Sequence, residues 1–328
     1  MTLKQFLDDW QSLSPHVLVH TSGSTGKPKP MWVEKQRMRN SARMTCDFLG
    51  LQPGDTALLC MSLDYIAGKM MVVRALERKL DLISVEPSGH PLQGVTRPIT
   101  FAAMVPMQVF NSLQVPEERE HLRQIKHLII GGGAIDDVLA SELKLFPHAV
   151  WSTYGMTETL SHIALRRLNG PEASEYYTPF DTVSVSLNAD HCLVIDAPQV
   201  CEQRLVTNDI AEFRSPEETC FRILGRRDNV IMSGGIKIQI EEVEQLLRPH
   251  LMAPFVITKC ADRKYGEIVV LLTESDNTVS ICEVCQHILP KYWQPRRYLS
   301  VHKLPITETG KPNRAEAMRL GQIQRPSL

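Results

Sequence analysis

Four hydroxyl side chains, two glycines and two lysines crowd into residues 21–29, "TSGSTGKPK", one residue after the apolar run "VLV". Gly23 and Gly26 let the backbone turn so that its N–H groups point outward, while Thr21, Ser22, Ser24 and Thr25 add hydroxyls and Lys29 an ammonium group. The chemistry this serves is phosphate binding. The familiar nucleotide loop has four residues between its glycines and a Lys-Ser or Lys-Thr pair after them; here two residues separate Gly23 from Gly26, and Lys27 precedes Pro28. Pro28 also opposes the helix that would start at this point. Taken alone, the segment reads equally well as a solvated Gly/Ser turn.

Any phosphate binding must be local, because a net charge of −1 over 328 residues gives no basic field for nucleic acid or an anionic membrane. Phe6, Leu7, Trp10 and Leu13 near the start have helical spacing with acids between them, unlike a signal peptide, and no apolar run approaches membrane-spanning length. The expectation is a cytoplasmic protein with no membrane insertion. Eight scattered cysteines fit reduced thiols. Cys282, Cys285 and His287 have metal-like spacing but lack a second pair of ligands, so the two cysteines read as neighbours on a helix.

The elements that must hold the loop alternate. A helix from about residue 33 to Leu49 leads to the strand "TALLCM", and a helix through Leu80 leads to "LDLISV"; "ITFAAMVP", "IKHLIIGGG" and "HAVWSTYG" supply further strands, with "IDDVLASELKLF" a helix between the last two. That order predicts an α/β fold whose sheet is mostly parallel and covered on both faces. Polar and glycine-rich stretches fall at the carboxyl ends of its strands: residues 21–29, 131–133 and 152–158 share one rim. From about Asp181 the texture becomes short antiparallel β segments, and the tail from "IEEVEQLLRPH" reads as a small α+β unit.

Five separated motifs stand in order: "TSGSTGKPK" at 21, "STYGMTET" at 152, "TNDIAEF" at 207, "GRRDNVIMSGGIKI" at 225 and "LPITETGKPNR" at 304. Together they resemble the adenylate-forming superfamily of acyl-CoA synthetases, luciferases and peptide-synthetase adenylation domains, over nearly the whole chain. The resemblance implies a large domain, residues 1–227, carrying a β-rich subdomain, and a small mobile domain, residues 228–328, turning near Asp228. It also implies ATP, Mg2+ and coenzyme A as co-substrates or cofactor, with a small-molecule acid, no nucleic acid, and room for a homo-oligomer.

Carried over position by position, Thr21, Ser22, Gly23, Ser24, Thr25, Gly26 and Lys29 would hold the β- and γ-phosphates of ATP. Gly131, Gly132, Gly133, Ala134, Ser152, Thr153, Tyr154 and Gly155 would flank the adenine, Thr157 would meet the α-phosphate, and Glu158 would bind Mg2+. Asp209 and Arg226 would hold the ribose; Asn208 stands where the family usually has glycine, and Asn, like glycine, tolerates a left-handed turn. Lys311 matches the mobile lysine that meets the acid and the α-phosphate, and Gly234 and Gly235 face coenzyme A after rotation.

"MSLDYIAGKMMVVRAL", residues 61–76, is similar to the helix start bordering the family's acyl pocket, with Tyr65 where many members have histidine and Lys69 one turn later. A lysine there suits an acid with a second carboxylate, with His162 and then Arg166 as further pocket residues. "DYIAGKMMVVRAL", "AAMVPMQV", "LIIGGGAI", "TYGMTETLSHIALR" and "VIMSGGIKI" together resemble the short o-succinylbenzoate–CoA ligases of menaquinone synthesis. Open beside that reading stand a ligase for another aryl or acyl acid, a carrier-protein loader and an idle AMP-binding module. Most superfamily members carry a long segment before the phosphate loop, where this chain has 20 residues.

Overall fold

The computed structural model describes residues 1–20, 30–133, 135, 137–215, 217–307 and 312–322. Its centre is a seven-stranded sheet in the order Asp81–Ser84, Thr56–Leu59, Phe101–Met104, His127–Ile130, Ala149–Gly155, His162–Arg167, Thr178–Pro179. The first five strands run parallel and the last two are antiparallel additions. Side chains alternate along the strands: Ala57 and Leu59 join one apolar cluster, while Leu58 and Cys60 join the cluster on the opposite face.

One face is covered by the helices Lys35–Phe48 and Ile66–Arg78. On the first, Met38, Ala42, Thr45 and Cys46 are buried at spacings of three and four, as an amphipathic helix requires. The second is buried continuously from Gly68 to Ala75, and ends where Lys79 turns left-handed at φ 54°. Pro106–Gln114, Pro116–Gln124 and Asp137–Leu143 lie on the other face, the first two opening with proline at a position that needs no N–H donor.

A four-stranded antiparallel sheet, Ser184–Leu187, Cys192–Asp196, Leu205–Phe213 and Phe221–Arg226, adds Leu193, Ile195, Ala211 and Phe221 to the first cluster. The mixed α/β architecture with a β-rich portion is therefore as expected. The antiparallel hairpin His16–His20 and Pro30–Glu34 was not foreseen; its register sets His20 opposite Pro30.

The rest is a five-stranded sheet built from Val230–Ser233, Ile236–Gln239, Phe255–Asp262, Gly266–Thr273 and Arg297–Ser300. Ile240–Leu247 and Thr278–Ile288 pack on one face of it and Arg314–Gln322 on the other. Each face carries an apolar cluster, and all described members of both clusters fall between residues 231 and 320. Cys282 and Cys285 lie on the helix Thr278–Ile288, and burial pushes the Cys285 thiol up to about 11. No described helix is long and apolar enough to cross a membrane.

Candidate active site

Two expected motifs meet at the carboxyl edge of the parallel strands. Ile130 pairs with Ser152, so Gly131 and Thr153 are neighbours: the Gly131 N–H donates to Met104 O at 3.1 Å, and a Cβ at Gly131 would lie 2.3 Å from Thr153 Oγ1. Gly155 is tighter, since a Cβ there would meet Ser161 O at 2.3 Å and His162 Cα at 2.4 Å, both backbone atoms. Residues 21–29, Ala134 and Lys311 lie outside the described residues. The hairpin nevertheless brings together the two ends from which residues 21–29 hang.

After Gly155 the chain makes a single 3-10 turn, Thr157–Thr159. Thr159 is fully buried and organises it, its Oγ1 accepting from Met156 N at 3.1 Å and bonding Ser161 O at 2.7 Å. Leu160 is held at φ 66° inside the apolar cluster, a conformation costing about 1–3 kcal/mol for a side-chain-bearing residue. The turn leaves Thr157 buried and Glu158 exposed.

Asp209 sits opposite Arg226 on paired strands. Its Oδ1 accepts from Arg226 Nη1 at 3.0 Å and its Oδ2 from the Tyr154 hydroxyl at 2.6 Å, while its own N–H donates to Thr207 Oγ1 at 3.0 Å. Burial, then the adjoining Asp209 carboxylate, hold the Tyr154 hydroxyl far above its ordinary range, so it stays a donor. The Tyr154 ring is edge-on to Phe221 at 5.2 Å and tilted against Tyr177 at 5.8 Å, and Tyr177 bonds Ser152 Oγ at 2.9 Å. The same guanidinium forks onto Asp228, Nε to Oδ1 at 3.0 Å and Nη2 to Oδ2 at 2.9 Å. Burial would raise the Asp228 carboxyl, but Arg226 prevails and it lies below its ordinary value.

Asn208 does not use the left-handed conformation open to it: it lies within the strand Leu205–Phe213, and its Oδ1 accepts from Arg227 Nη2 at 3.0 Å. Asn208 directly precedes Asp209, which pairs with Arg226, and its φ is not positive, so no glycine is needed there.

Tyr65 caps the helix Ile66–Arg78, and Gly68 lets that helix approach the preceding loop, since a Cβ would lie 2.3 Å from Ser62 O. Lys69 is 2% exposed; its N–H donates to Tyr65 O at 3.4 Å, but its ammonium makes no hydrogen bond or ion pair with the described residues; burial lowers the ammonium, and Asp64 and Asp9 oppose that. A second buried cation, missed in the sequence, lies five residues on. Arg74 is also 2% exposed, has no carboxylate partner among the described residues, and is pushed down to about 10 by burial, so it remains charged at neutral pH. Its Nη2 donates to Ser161 Oγ at 2.6 Å, its Nη1 meets only Met71 Sδ at 3.8 Å, and its Nε has no partner among the described residues.

Behind Ser161, His162 contacts Ser161 Oγ through Nδ1 at 3.2 Å and Thr45 Oγ1 through Nε2 at 3.0 Å. Burial, then Arg74, hold His162 well below its ordinary value, so it is neutral. Arg166 lies on the strand His162–Arg167 with its guanidinium 5.2 Å from the Tyr177 ring centroid. The signal for Arg74 was legible as a lone arginine within "MMVVRAL", an otherwise apolar stretch of helix.

Gly234 and Gly235, at φ 58° and 84°, form the two-residue turn between Val230–Ser233 and Ile236–Gln239, a conformation that suits glycine at both positions. The flanks of Lys311 are fixed by a bridge between Ile306 and Pro312 and by the bidentate Arg314–Glu244 pair, both contacts 2.7 Å. Among the described residues no group of three or more His, Cys, Asp or Glu could cage a metal. The exposed Glu158 fits a shared Mg2+, which takes one or two carboxylates together with substrate phosphate oxygens.

The family model described as AMP-binding enzyme matches residues 6–199. A 2-succinylbenzoate–CoA ligase of Enterococcus faecalis is 26% identical over 90% of this chain and 67% of its own length. The crystal structure of an acyl-CoA synthetase (AMP-forming)/AMP-acid ligase II-like protein from Dyadobacter fermentans superposes with a TM-score of 0.65 at 32% identity, covering 95% of this chain and 91% of that one. An o-succinylbenzoate CoA synthetase (MenE) from Bacillus subtilis, in complex with the acyl-adenylate OSB-AMP, shares the fold at a TM-score of 0.77 and 22% identity, over 95% of this chain and 70% of that one.

Proposed function

Because the chain belongs to the AMP-binding enzyme family, we propose that it is an AMP-forming acid–CoA ligase whose acid carries a second carboxylate, with o-succinylbenzoate the preferred substrate. The observation that carries the acid class is Arg74: a buried guanidinium with no carboxylate among the described residues is costly until an anion arrives. Lys69, a second buried cation on the same helix, supports the same reading, as do the names of the curated relatives.

In the first half-reaction a carboxylate oxygen attacks the α-phosphorus of ATP, the new P–O bond forms, and the bond to the β-phosphate breaks to release pyrophosphate. Residues 21–29 hold the leaving group, Asp209 and Arg226 orient the ribose, and Thr157 and Lys311 meet the charge that builds on the α-phosphate. Glu158 would hold Mg2+, which would supply charge neutralisation at the phosphates. In the second half-reaction the thiol of coenzyme A attacks the acyl carbonyl, AMP leaves with the C–O bonding pair, and the thiol proton passes to solvent. The small domain, residues 228–328, turns about Asp228 between the steps, withdrawing Lys311 and presenting Gly234 and Gly235.

The test is a panel of acids assayed for ATP- and CoA-dependent thioester formation. o-Succinylbenzoate is expected to exceed benzoate and octanoate by about a hundredfold or more. Equal rates with octanoate would remove the diacid; pyrophosphate exchange without thioester would point to another acceptor; no exchange with any acid would leave a nucleotide-binding module.

A further inference from the structure

Arg226 is the one described side chain that touches both the carboxylate assigned to the ribose and the carboxylate at the turning point. Its planar group offers five donors in a fixed fork. Nε and Nη2 are committed to the two oxygens of Asp228, and that commitment aims Nη1 at Asp209. Asp228 lies in the 3-10 turn Arg227–Asn229, which joins the strand Phe221–Arg226 of the four-stranded sheet to Val230–Ser233 of the five-stranded one. Backbone rotation there carries the Asp228 carboxylate out of the plane of the fork. Nothing else described holds the guanidinium against Asp209, whose side chain is 13% exposed and would keep only Tyr154 as a side-chain donor.

We propose that Arg226 is a positioning residue that makes nucleotide binding and the orientation of the C-terminal unit a single linked equilibrium: Asp228 holds Arg226, and Arg226 holds Asp209 ready for the ribose hydroxyls. A carboxylate accepts about four hydrogen bonds, so Asp209 can take ribose hydroxyls while keeping Tyr154 and Arg226. The fork-closed orientation therefore binds nucleotide more tightly than the rotated one. By reciprocity, bound nucleotide favours that orientation by the same factor, and loss of pyrophosphate and conversion to AMP need not disturb the ribose contact until rotation opens the fork. A second tie follows the same junction, since Gln239 Nε2 donates to Arg226 O at 2.9 Å and packs where a Cβ on Gly225 would stand.

This inference rests on the ATP reading above, and its test reads binding, not turnover. ATP affinity is measured by titration calorimetry for the intact chain and for Asp228→Asn, Arg226→Lys and the double variant, each first shown to melt cooperatively. Asp228→Asn, which keeps the size of the side chain but not the ion-pair fork, is expected to weaken ATP about tenfold although Asp228 is not itself a nucleotide ligand. In the Arg226→Lys background, where no fork exists, the same change should cost less than twofold. An Asp228→Asn affinity within twofold of the parent, or an undiminished tenfold loss in the Arg226→Lys background, overturns the coupling and leaves the ligase reading standing. A parent protein that binds no ATP overturns both.

Discussion

Arg74 Nη2 lies 2.6 Å from Ser161 Oγ, which ties a buried cation on the helix Ile66–Arg78 to the turn that presents Thr157 and Glu158. On the reading proposed above, the acid site and the nucleotide edge would share this hydrogen bond, so that a change at one would be felt at the other. Replacing Arg74 by Met should raise KM for o-succinylbenzoate by about a hundredfold and leave KM for ATP within a few-fold, because the loss falls on the second carboxylate. Steady-state kinetics with each substrate varied in turn separates the two; an equal rise in both would make Arg74 a support for the turn instead.

The same substitution should stabilise the ligand-free protein. A buried guanidinium with one oxygen partner pays for desolvation without an ion pair, and an apolar side chain of similar volume removes that cost. Thermal unfolding without ligands should show Arg74→Met melting higher than the parent, with the order reversed by saturating diacid if the parent alone binds it.

His162 gives a pH signature. Its folded pKa is depressed below the ordinary 6.5 by burial, so the unfolded chain takes up the proton first. The associated stability is whole above about pH 6.5 and declines as pH falls below it, by up to about 1.4 kcal/mol per pH unit. His127, depressed chiefly by burial, acts in the same direction. Urea titrations between pH 7 and 5 should show a shallower acid-side decline for His162→Gln than for the parent, and an unchanged slope would assign the decline to His127.

Lys311→Ala should slow acyl-adenylate formation by about a hundredfold or more while sparing thioester formation from synthetic acyl-adenylate. Asp228→Pro should do the converse by restricting the turning dihedral. Rapid-quench measurement of each half-reaction separates these outcomes; equal slowing of both by Lys311→Ala would remove the two-pose cycle.

Glu244→Gln should destabilise the C-terminal unit by about 1–3 kcal/mol, because it removes the charge from a bidentate pair with the half-buried Arg314, which then keeps only one amide oxygen there and Ile257 O. The consequence for Lys311, three residues earlier, is a lower adenylation rate at temperatures well below the melt, which stopped-flow pyrophosphate release would detect.

What could be read from the sequence divides along physical lines. Strands such as "TALLCM" and "LIIGGG" were legible because burial on both faces makes them continuous apolar runs with glycine at the rim. The strand Pro30–Glu34 was not, since "PMWVE" pairs with one partner only, exposes Trp32 and begins with proline. Among site residues, Asp209 and Arg226 came from motif order, but their joint hold on one another and on Asp228 depends on cross-strand register, which spacing does not encode. Arg74 was visible as a letter and silent as a role: only its burial and its missing carboxylate distinguish it from an arginine that reaches solvent.

The closure of the C-terminal apolar clusters within residues 231–320 has a bearing on how such a chain can diversify. Lys69, Arg74 and His162 belong wholly to the other body of packing, whereas the glycine turn and the flanks of Lys311 belong to this one. Drift in the shape or charge of the proposed acid site would therefore leave the packing of residues 231–320 untouched. On the proposed assignment, a few substitutions on the helices Lys35–Phe48 and Ile66–Arg78 and at Ser161 and His162 would change the acid while the C-terminal packing stays as it is.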